Sequence, residues 1–236
     1  MADIRLITFD LDNTLWDVGQ VIRHAETEMN TWLDATVPEY RRRLDRDAVL
    51  ELRSQVIADR PELGHDVSAL REEILYRGMR RIGLDDTAAR QAAGHAFRIF
   101  FEARQRVVFF EHALEALTDL AGSYRLAALT NGNAHIETIG LDRYFSFALC
   151  AADVRASKPA PDIFHAALEK AGVRAEESIH VGDNLVDDIF GAGSIGMHTI
   201  WFRPGDETDD DAEVRPSAIV EHLRELPLAV RRIHHG

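Results

Sequence analysis

The sequence is poor in cysteine, in lysine and in long apolar runs, and each shortage removes a class of protein. Cys150 is the single cysteine among 236 residues. That excludes a disulfide framework and a zinc–thiolate cluster, and it fits a reducing compartment. No apolar run approaches the roughly 18 to 20 residues of a membrane span. The first apolar stretch, Ile4 to Leu15, is broken by Asp10 and Asp12 and does not read as a signal peptide. Positive charge is also scarce: 27 Lys and Arg stand against 40 Asp and Glu, for a formal charge of −13. A chain of that sign repels nucleic acid and anionic membranes. The expectation is a cytoplasmic monomer or homodimer that takes a small ligand, with no nucleic-acid or membrane partner.

Lysine is the rarest kind of charge. Only Lys158 and Lys170 are lysine, and the other 25 basic residues are arginine. A position that keeps lysine against this bias is a candidate for chemistry that needs a compact ammonium rather than a wide guanidinium fork.

What is present is ordinary globular composition, 46% hydrophobic and 28% charged. Residues 4–9 read as a short strand ending at Asp10. From about Asp17 to Arg106 the apolar spacing turns helical. Stripes run through Val18, Ile22, Ala25, Met29, Trp32 and Leu33; through Val49, Leu52, Val56 and Ile57; through Leu70, Ile74, Leu75 and Ile82; and through Ala89, Ala93, Phe97, Phe100 and Phe101. A stretch this long without a strand predicts a separate helical subdomain, with residues 1–16 and 107–236 forming the core. After Val107 the pattern alternates: helix 111–121, strand 125–129, strand 147–150, a helix opened by Lys158-Pro159-Ala160-Pro161 and closed by Gly172, strand 178–181, helix 185–192 and strand 199–202. Ile219, Val220, Leu223 and Leu226 read as a last helix, and the six acids of Asp206 to Glu213 read as a solvated loop. Alternating strands and helices predict an α/β fold, a doubly wound, Rossmann-like parallel sheet with its ligand site at the strands' carboxyl ends.

Polar clusters fall at those ends. Asp10-Leu11-Asp12-Asn13-Thr14 places two carboxylates two residues apart at a strand exit; the plain alternative is an Asx-rich turn. Thr130-Asn131-Gly132 offers a hydroxyl, an amide and open backbone amides to an anion, or is an ordinary turn. Lys158 is either a surface lysine or the ammonium that the composition singles out. Gly182-Asp183, with Asp187 and Asp188 a helical turn later, supplies hard oxygen donors suited to a cation such as Mg²⁺; the alternative is acids stabilised by a helix N-terminus.

In order and spacing, Asp10-x-Asp12-x-Thr14, Thr130, Lys158-Pro159 and Gly182-Asp183 through Asp188 resemble the four motifs of the haloacid dehalogenase-like (HAD) hydrolase superfamily, and the helical block is similar to its first class of cap. The resemblance implies that Asp10 is the nucleophile of an aspartyl-phosphate mechanism and Asp12 its acid and base. It implies that Thr130 and the Asn131 amide bind phosphoryl oxygens and that Lys158 offsets charge. Mg²⁺ would be held by Asp10, the Asp12 carbonyl and Asp183, with Thr14, Asp187 and Asp188 in support. Since dehalogenases of the superfamily lack an acid at the position of Asp12, a phosphoester is implied over a haloacid. Thr130-Asn131-Gly132-Asn133-Ala134, Gly140-Leu141, Tyr144-Phe145, Pro61-Glu62 and His65-Asp66 resemble the bacterial branch that dephosphorylates flavin mononucleotide and the phosphoribitylamino-pyrimidine of riboflavin biosynthesis. His65 is that branch's cap contact, or a structural histidine. Arg104 and Arg106 are substrate contacts or hinge-side charges. The other readings are a phosphatase for a nucleotide or sugar phosphate, a haloacid dehalogenase, a phosphomutase and a non-catalytic phospho-ligand binder.

Overall fold

The computed structural model describes residues 3–205 and 215–235, so the acidic run Asp206 to Glu213 lies outside the described residues. The chain divides into two compact units, Met1–Asp17 with Val108–Gly236, and Val18–Val107.

The first unit is built on a six-stranded sheet in the order β3-β2-β1-β4-β5-β6. The strands are β1 (Leu6–Phe9), β2 (Arg125–Thr130), β3 (Phe145–Cys150), β4 (Ser178–Gly182), β5 (His198–Phe202) and β6 (Ala218–Val220). Every pairing is parallel. Every residue of β1 and β4 is buried, as expected of central strands covered on both faces; β1 is apolar but for Thr8, whereas β4 buries Ser178 and His180 among its apolar residues. Ile163, Phe164, Ala167 and Leu168 of α9 (Asp162–Ala171) pack against Leu6, Ala127, Leu129 and Phe147. The strand order reverses at β1, where the neighbours are β2 and β4, so the crevice at the switch point opens at the ends of these three strands.

The sequence expectation fails in two places here. Residues 219 and 220 belong to an edge strand, not a helix; the last helix runs from Leu226 to His235. A three-residue strand is too short to show period 2, and its pairing with Trp201 and Phe202, not its own spacing, makes it a strand. Lys158 does not open a helix. It sits in a turn ahead of α9, which starts at Asp162 after Pro161 and ends at Gly172 with φ 67°.

The second unit is all helical: α1 (Val18–Thr36), α2 (Pro38–Arg43), α3 (Arg46–Asp59), α4 (Val67–Arg81) and α5 (Asp86–Arg104). Asp45, Asp66 and Asp85 cap the last three, accepting from Ala48 N–H at 2.9 Å, Ala69 N–H at 2.9 Å and Ala88 N–H at 2.8 Å. Ala89, Ala93, Ala96, Phe100 and Ala103 line one face of α5 and pack in a core with Ala25, Met29 and Leu33 of α1. Among the described residues no helix is long and apolar enough to cross a membrane.

Gly78 of α4 lies against the buried Tyr40 ring; a Cβ there would sit 2.5 Å from Cε2 and 2.8 Å from Oη. Alanine gains about 1 kcal/mol of helix propensity, but overpacking costs about 1 to 3 kcal/mol. Gly78→Ala is therefore expected to lower stability on balance by about 1 kcal/mol in urea unfolding, despite replacing a helical glycine.

Candidate active site

The sheet delivers its polar residues to one cavity of about 170 Å³, lined by Asp10, Asp12, Asn13, Thr130, Asn131, Gly132, Lys158, Asp183, Asn184, Asp187 and Asp188. All of these belong to the α/β unit.

Lys158 is the hub. Its side chain is 2% exposed, and Nζ donates to Asp10 Oδ1 at 2.6 Å, Asp188 Oδ1 at 2.6 Å and the Leu129 carbonyl at 2.9 Å. Three donors meet three acceptors, the full capacity of an ammonium. Burial works against the charge, but Asp10 and Asp188 outweigh it and hold the Lys158 pKa above its ordinary value. The turn carrying Lys158 is fixed by Asn131, whose Oδ1 accepts Lys158 N–H at 2.8 Å and whose Nδ2 donates to the Lys158 carbonyl at 3.1 Å and to Asp187 at 3.3 Å. Beside it, the Thr130 hydroxyl accepts Gly132 N–H at 2.8 Å and still has a proton to give.

Behind Asp188 stands a residue that motif reasoning did not single out. His180 on β4 has no exposed surface; Nε2 lies 3.1 Å from Asp188 Oδ1 and Nδ1 2.8 Å from Thr8 Oγ1. Burial pushes its pKa down, against the pull of Asp188, so the ring is neutral at pH 7. An ionised carboxylate only accepts, which assigns the proton to Nε2 and leaves Nδ1 to accept from the Thr8 hydroxyl. Burial pushes Asp188 up, but Lys158 and His180 more than offset it and hold the carboxyl below its ordinary range. A short run of widened helix, with Asp188 and Ile189 N–H both donating to the Asn184 carbonyl at 3.0 and 3.2 Å, carries Asp188 back across β4. Gly182 makes that approach possible, since a Cβ there would lie 2.3 Å from Asp188 Cγ.

The acids at the β1 and β4 exits are linked as well. Thr14, fully buried, donates to Asp183 Oδ1 at 3.2 Å, and Trp201 Nε1 holds the Asp183 carbonyl at 2.8 Å. Oxygens of Asp10, Asp183 and Asp188 lie within 4.8 Å of one another. Burial and then Asp188 push Asp183 up to about 6. Burial also raises Asp10 well above its ordinary value, with Lys158 pulling it down and Asp188 pushing it up. With all three carboxylates ionised, the one ammonium would leave two negative charges in a largely buried site, and the carboxylates offer only hard oxygens. A divalent cation fits that set.

Asp12 is half-buried on the cavity wall, with Trp16 Nε1 donating to its Oδ1 at 2.8 Å. The structure thus gathers Asp10, Asp12, Thr14, Thr130, Asn131, Lys158, Asp183, Asp187 and Asp188 around one point. His65 belongs to the helical unit, half-buried at the end of a helical turn, Pro61–His65, and its neighbour Asp66 caps α4. Arg106 of the same unit pairs with Glu28, and Arg104 is buried. The Asn131 side-chain amide, offered by the sequence to an anion, is spent instead on the Lys158 turn. His180 carries no motif signature; its one sequence hint is a histidine within a short, mostly apolar strand.

An acid-lined crevice at the switch point of a parallel sheet, with one buried lysine bridging two of its carboxylates, is the site of a hydrolase class, and comparison with known proteins gives the class its name. The chain belongs to the haloacid dehalogenase-like hydrolases, whose family model matches residues 4–196; these hydrolases use a metal ion. It is 36% identical over 229 residues to 5-amino-6-(5-phospho-D-ribitylamino)uracil phosphatase YigB of Escherichia coli, covering 97% of this chain and 95% of that protein. It is 25% identical to the mouse N-acylneuraminate-9-phosphatase over 99% and 96% of the two chains. The crystal structure of a protein called 2-haloacid dehalogenase from Pseudomonas syringae pv. tomato DC3000 superposes with a TM-score of 0.93 at 38% identity, covering 97% and 99% of the two chains.

Two outcomes follow from this geometry. Gly182→Ala drives Asp188 off Lys158; breaking a buried ion pair costs about 3 kcal/mol, and activity falls at least about 10-fold with the fold retained by circular dichroism. The second concerns pH. With its carboxyl raised to about 6, Asp183 keeps its proton in the folded protein at pH values where the unfolded chain has lost it. As pH rises from the ordinary carboxylate value through 6, the stability that this proton provides is lost. A divalent cation holds the ionised form, so its stabilising effect grows over the same window. Thermal melts with and without divalent cation at roughly 100 times its Kd are expected to differ by several degrees at pH 7.5 and by much less at pH 5.

Proposed function

We propose that the chain is a Mg²⁺-dependent phosphomonoester hydrolase of the cytoplasm acting on a small phosphorylated metabolite, with a phosphoribitylamino-pyrimidine or flavin mononucleotide as the substrate type and riboflavin biosynthesis as its setting. The observation that carries this reading is that Asp12 shares a cavity with Asp10. A halide leaves unaided as the anion of a strong acid, whereas an alkoxide needs a proton. A dehalogenase has no use for a second acid beside its nucleophile; a phosphatase does. The 36% identity to YigB along nearly the whole chain supports both the reaction and the substrate type.

In this reading Asp10 attacks phosphorus and becomes an aspartyl phosphate while Asp12 protonates the departing oxygen. Asp12 then takes a proton from water, which attacks the acyl phosphate and restores Asp10. Thr130 Oγ1 and the Asn131 backbone amide hold phosphoryl oxygens, the Asn131 side chain being committed to the Lys158 turn. Lys158 pulls Asp10 toward its ionised form against burial and orients it, at 2.6 Å. Asp10, the Asp12 carbonyl and Asp183 would hold Mg²⁺, supported by Thr14, Asp187 and Asp188; it supplies the positive charge that lets an anionic nucleophile meet an anionic phosphate. The helical unit acts as the cap that chooses the leaving group, and His65 is its candidate contact.

The dehalogenase name of the Pseudomonas syringae protein favours a second reading, halide displacement by Asp10. One assay separates the two. The purified protein is expected to release phosphate from flavin mononucleotide and phosphoribitylamino-pyrimidine in preference to hexose phosphates, to stop in chelator and to resume with Mg²⁺. It is expected to release no chloride from 2-chloropropionate. Asp10→Asn should lose at least about 10³-fold in kcat while melting like the parent. Chelator-insensitive chloride release with no phosphate release overturns the proposal in favour of the second reading.

A further inference from the structure

Trp16 is the largest fully buried side chain of the α/β unit, and its place beside the site invites the reading of a core residue. Its ring does pack edge-on to Phe109, centroids 5.8 Å apart and planes at 73°. A buried indole N–H must find an acceptor, and a main-chain carbonyl meets that need, as it does for Trp201, whose Nε1 donates to the Asp183 carbonyl. Trp16 donates instead to Oδ1 of Asp12, at 2.8 Å, across the turn that follows β1. The same turn is closed by Asn13 N–H donating to the Trp16 carbonyl at 2.8 Å, with Asn13 itself at φ 62°. Its far side is tied by Phe110 N–H to the Leu15 carbonyl at 2.8 Å. Main chain and side chain of Trp16 therefore hold two consecutive residues, the Asn13 N–H and the Asp12 carboxylate.

We infer that Trp16 is a positioning residue for proton transfer by Asp12. The indole can donate but not accept. Its N–H points into Oδ1, which favours Oδ2 as the oxygen that carries the transferable proton. With the ring locked against Phe109, the hydrogen bond also fixes the rotation of the carboxyl group, so that Oδ2 is presented to the cavity in one orientation. In the forward step the O–H bond at Asp12 breaks as the leaving oxygen gains its proton; in the return step Oδ2 takes a proton from water. A hydrophobic ring without the N–H keeps the packing and loses the orientation.

The inference rests on the acid role proposed for Asp12, and the test keeps the two apart. Three proteins are compared on two esters under saturating Mg²⁺: para-nitrophenyl phosphate, whose leaving group needs little protonation, and an alkyl phosphate, whose leaving group needs it. Asp12→Asn must lose kcat selectively on the alkyl ester; an equal loss on both overturns the acid role and the inference with it. Trp16→Phe is then expected to lose about 10-fold in kcat on the alkyl ester and under about 2-fold on the aryl ester, with KM unchanged on both. Should Trp16→Phe fold poorly, site-specific benzothienylalanine at position 16, a ring of the same shape with sulfur in place of N–H, gives the same readout. In the double variant with Asp12→Asn the replacement at 16 should add no further selective loss. With Asp12→Asn selective, a replacement at 16 that costs nothing, or costs both esters alike, makes Trp16 a packing residue and overturns the inference alone.

Discussion

Everything at this site depends on one ammonium group shared between two carboxylates. Lys158 Nζ meets Asp10 and Asp188 at the same distance, 2.6 Å, in almost wholly buried surroundings. An isolated charge there would be untenable; two acids and a carbonyl make it the stable state, and in return it holds Asp188 ionised and pulls Asp10 toward its ionised form against burial. The scarcity of lysine elsewhere in the chain takes on meaning here. A guanidinium fork is planar and too wide to aim three donors at three acceptors converging on a point, so the bias toward arginine stops at this position.

The remaining polar residues hold that triangle in place. Asn131 fixes the Lys158 turn, His180 and Thr8 back Asp188, Gly182 clears the path for it, and Thr14 and Trp201 tie the Asp183 loop to its neighbours. Most of these act from strands or strand exits, where the sheet fixes the backbone. The residual negative charge of the acids, and the upward shifts of Asp10 and Asp183 that accompany it, are what a divalent cation would relieve. The same imbalance that makes the acid cluster costly makes it a cation site.

The helical unit is assembled by different means. Aspartate caps and alanine-lined helix contacts define its elements, and it contributes none of the residues that line the acid cavity. The residues that line the acid cavity thus all lie on the α/β unit.

Much of this was legible in the chain itself. The central parallel strands are short and mostly apolar, and their polar exits are local, so Asp10, Asp12, Thr130 and Asp183 announce themselves at the strand ends; the four long helices announce themselves by period. The tertiary structure alone decided what has no local signature. That Lys158 meets Asp10 is a contact across 148 positions of sequence. That His180 supports Asp188 depends on a widened turn folding back over β4. That residues 218–220 form a strand depends on a neighbour's hydrogen bonds, and that Trp16 spends its N–H on a carboxylate depends on where the turn after β1 brings Asp12. Periodicity reports which face of an element is dry, but the partner of a buried polar atom is chosen by the packing of whole elements, and that information is spread over the entire chain.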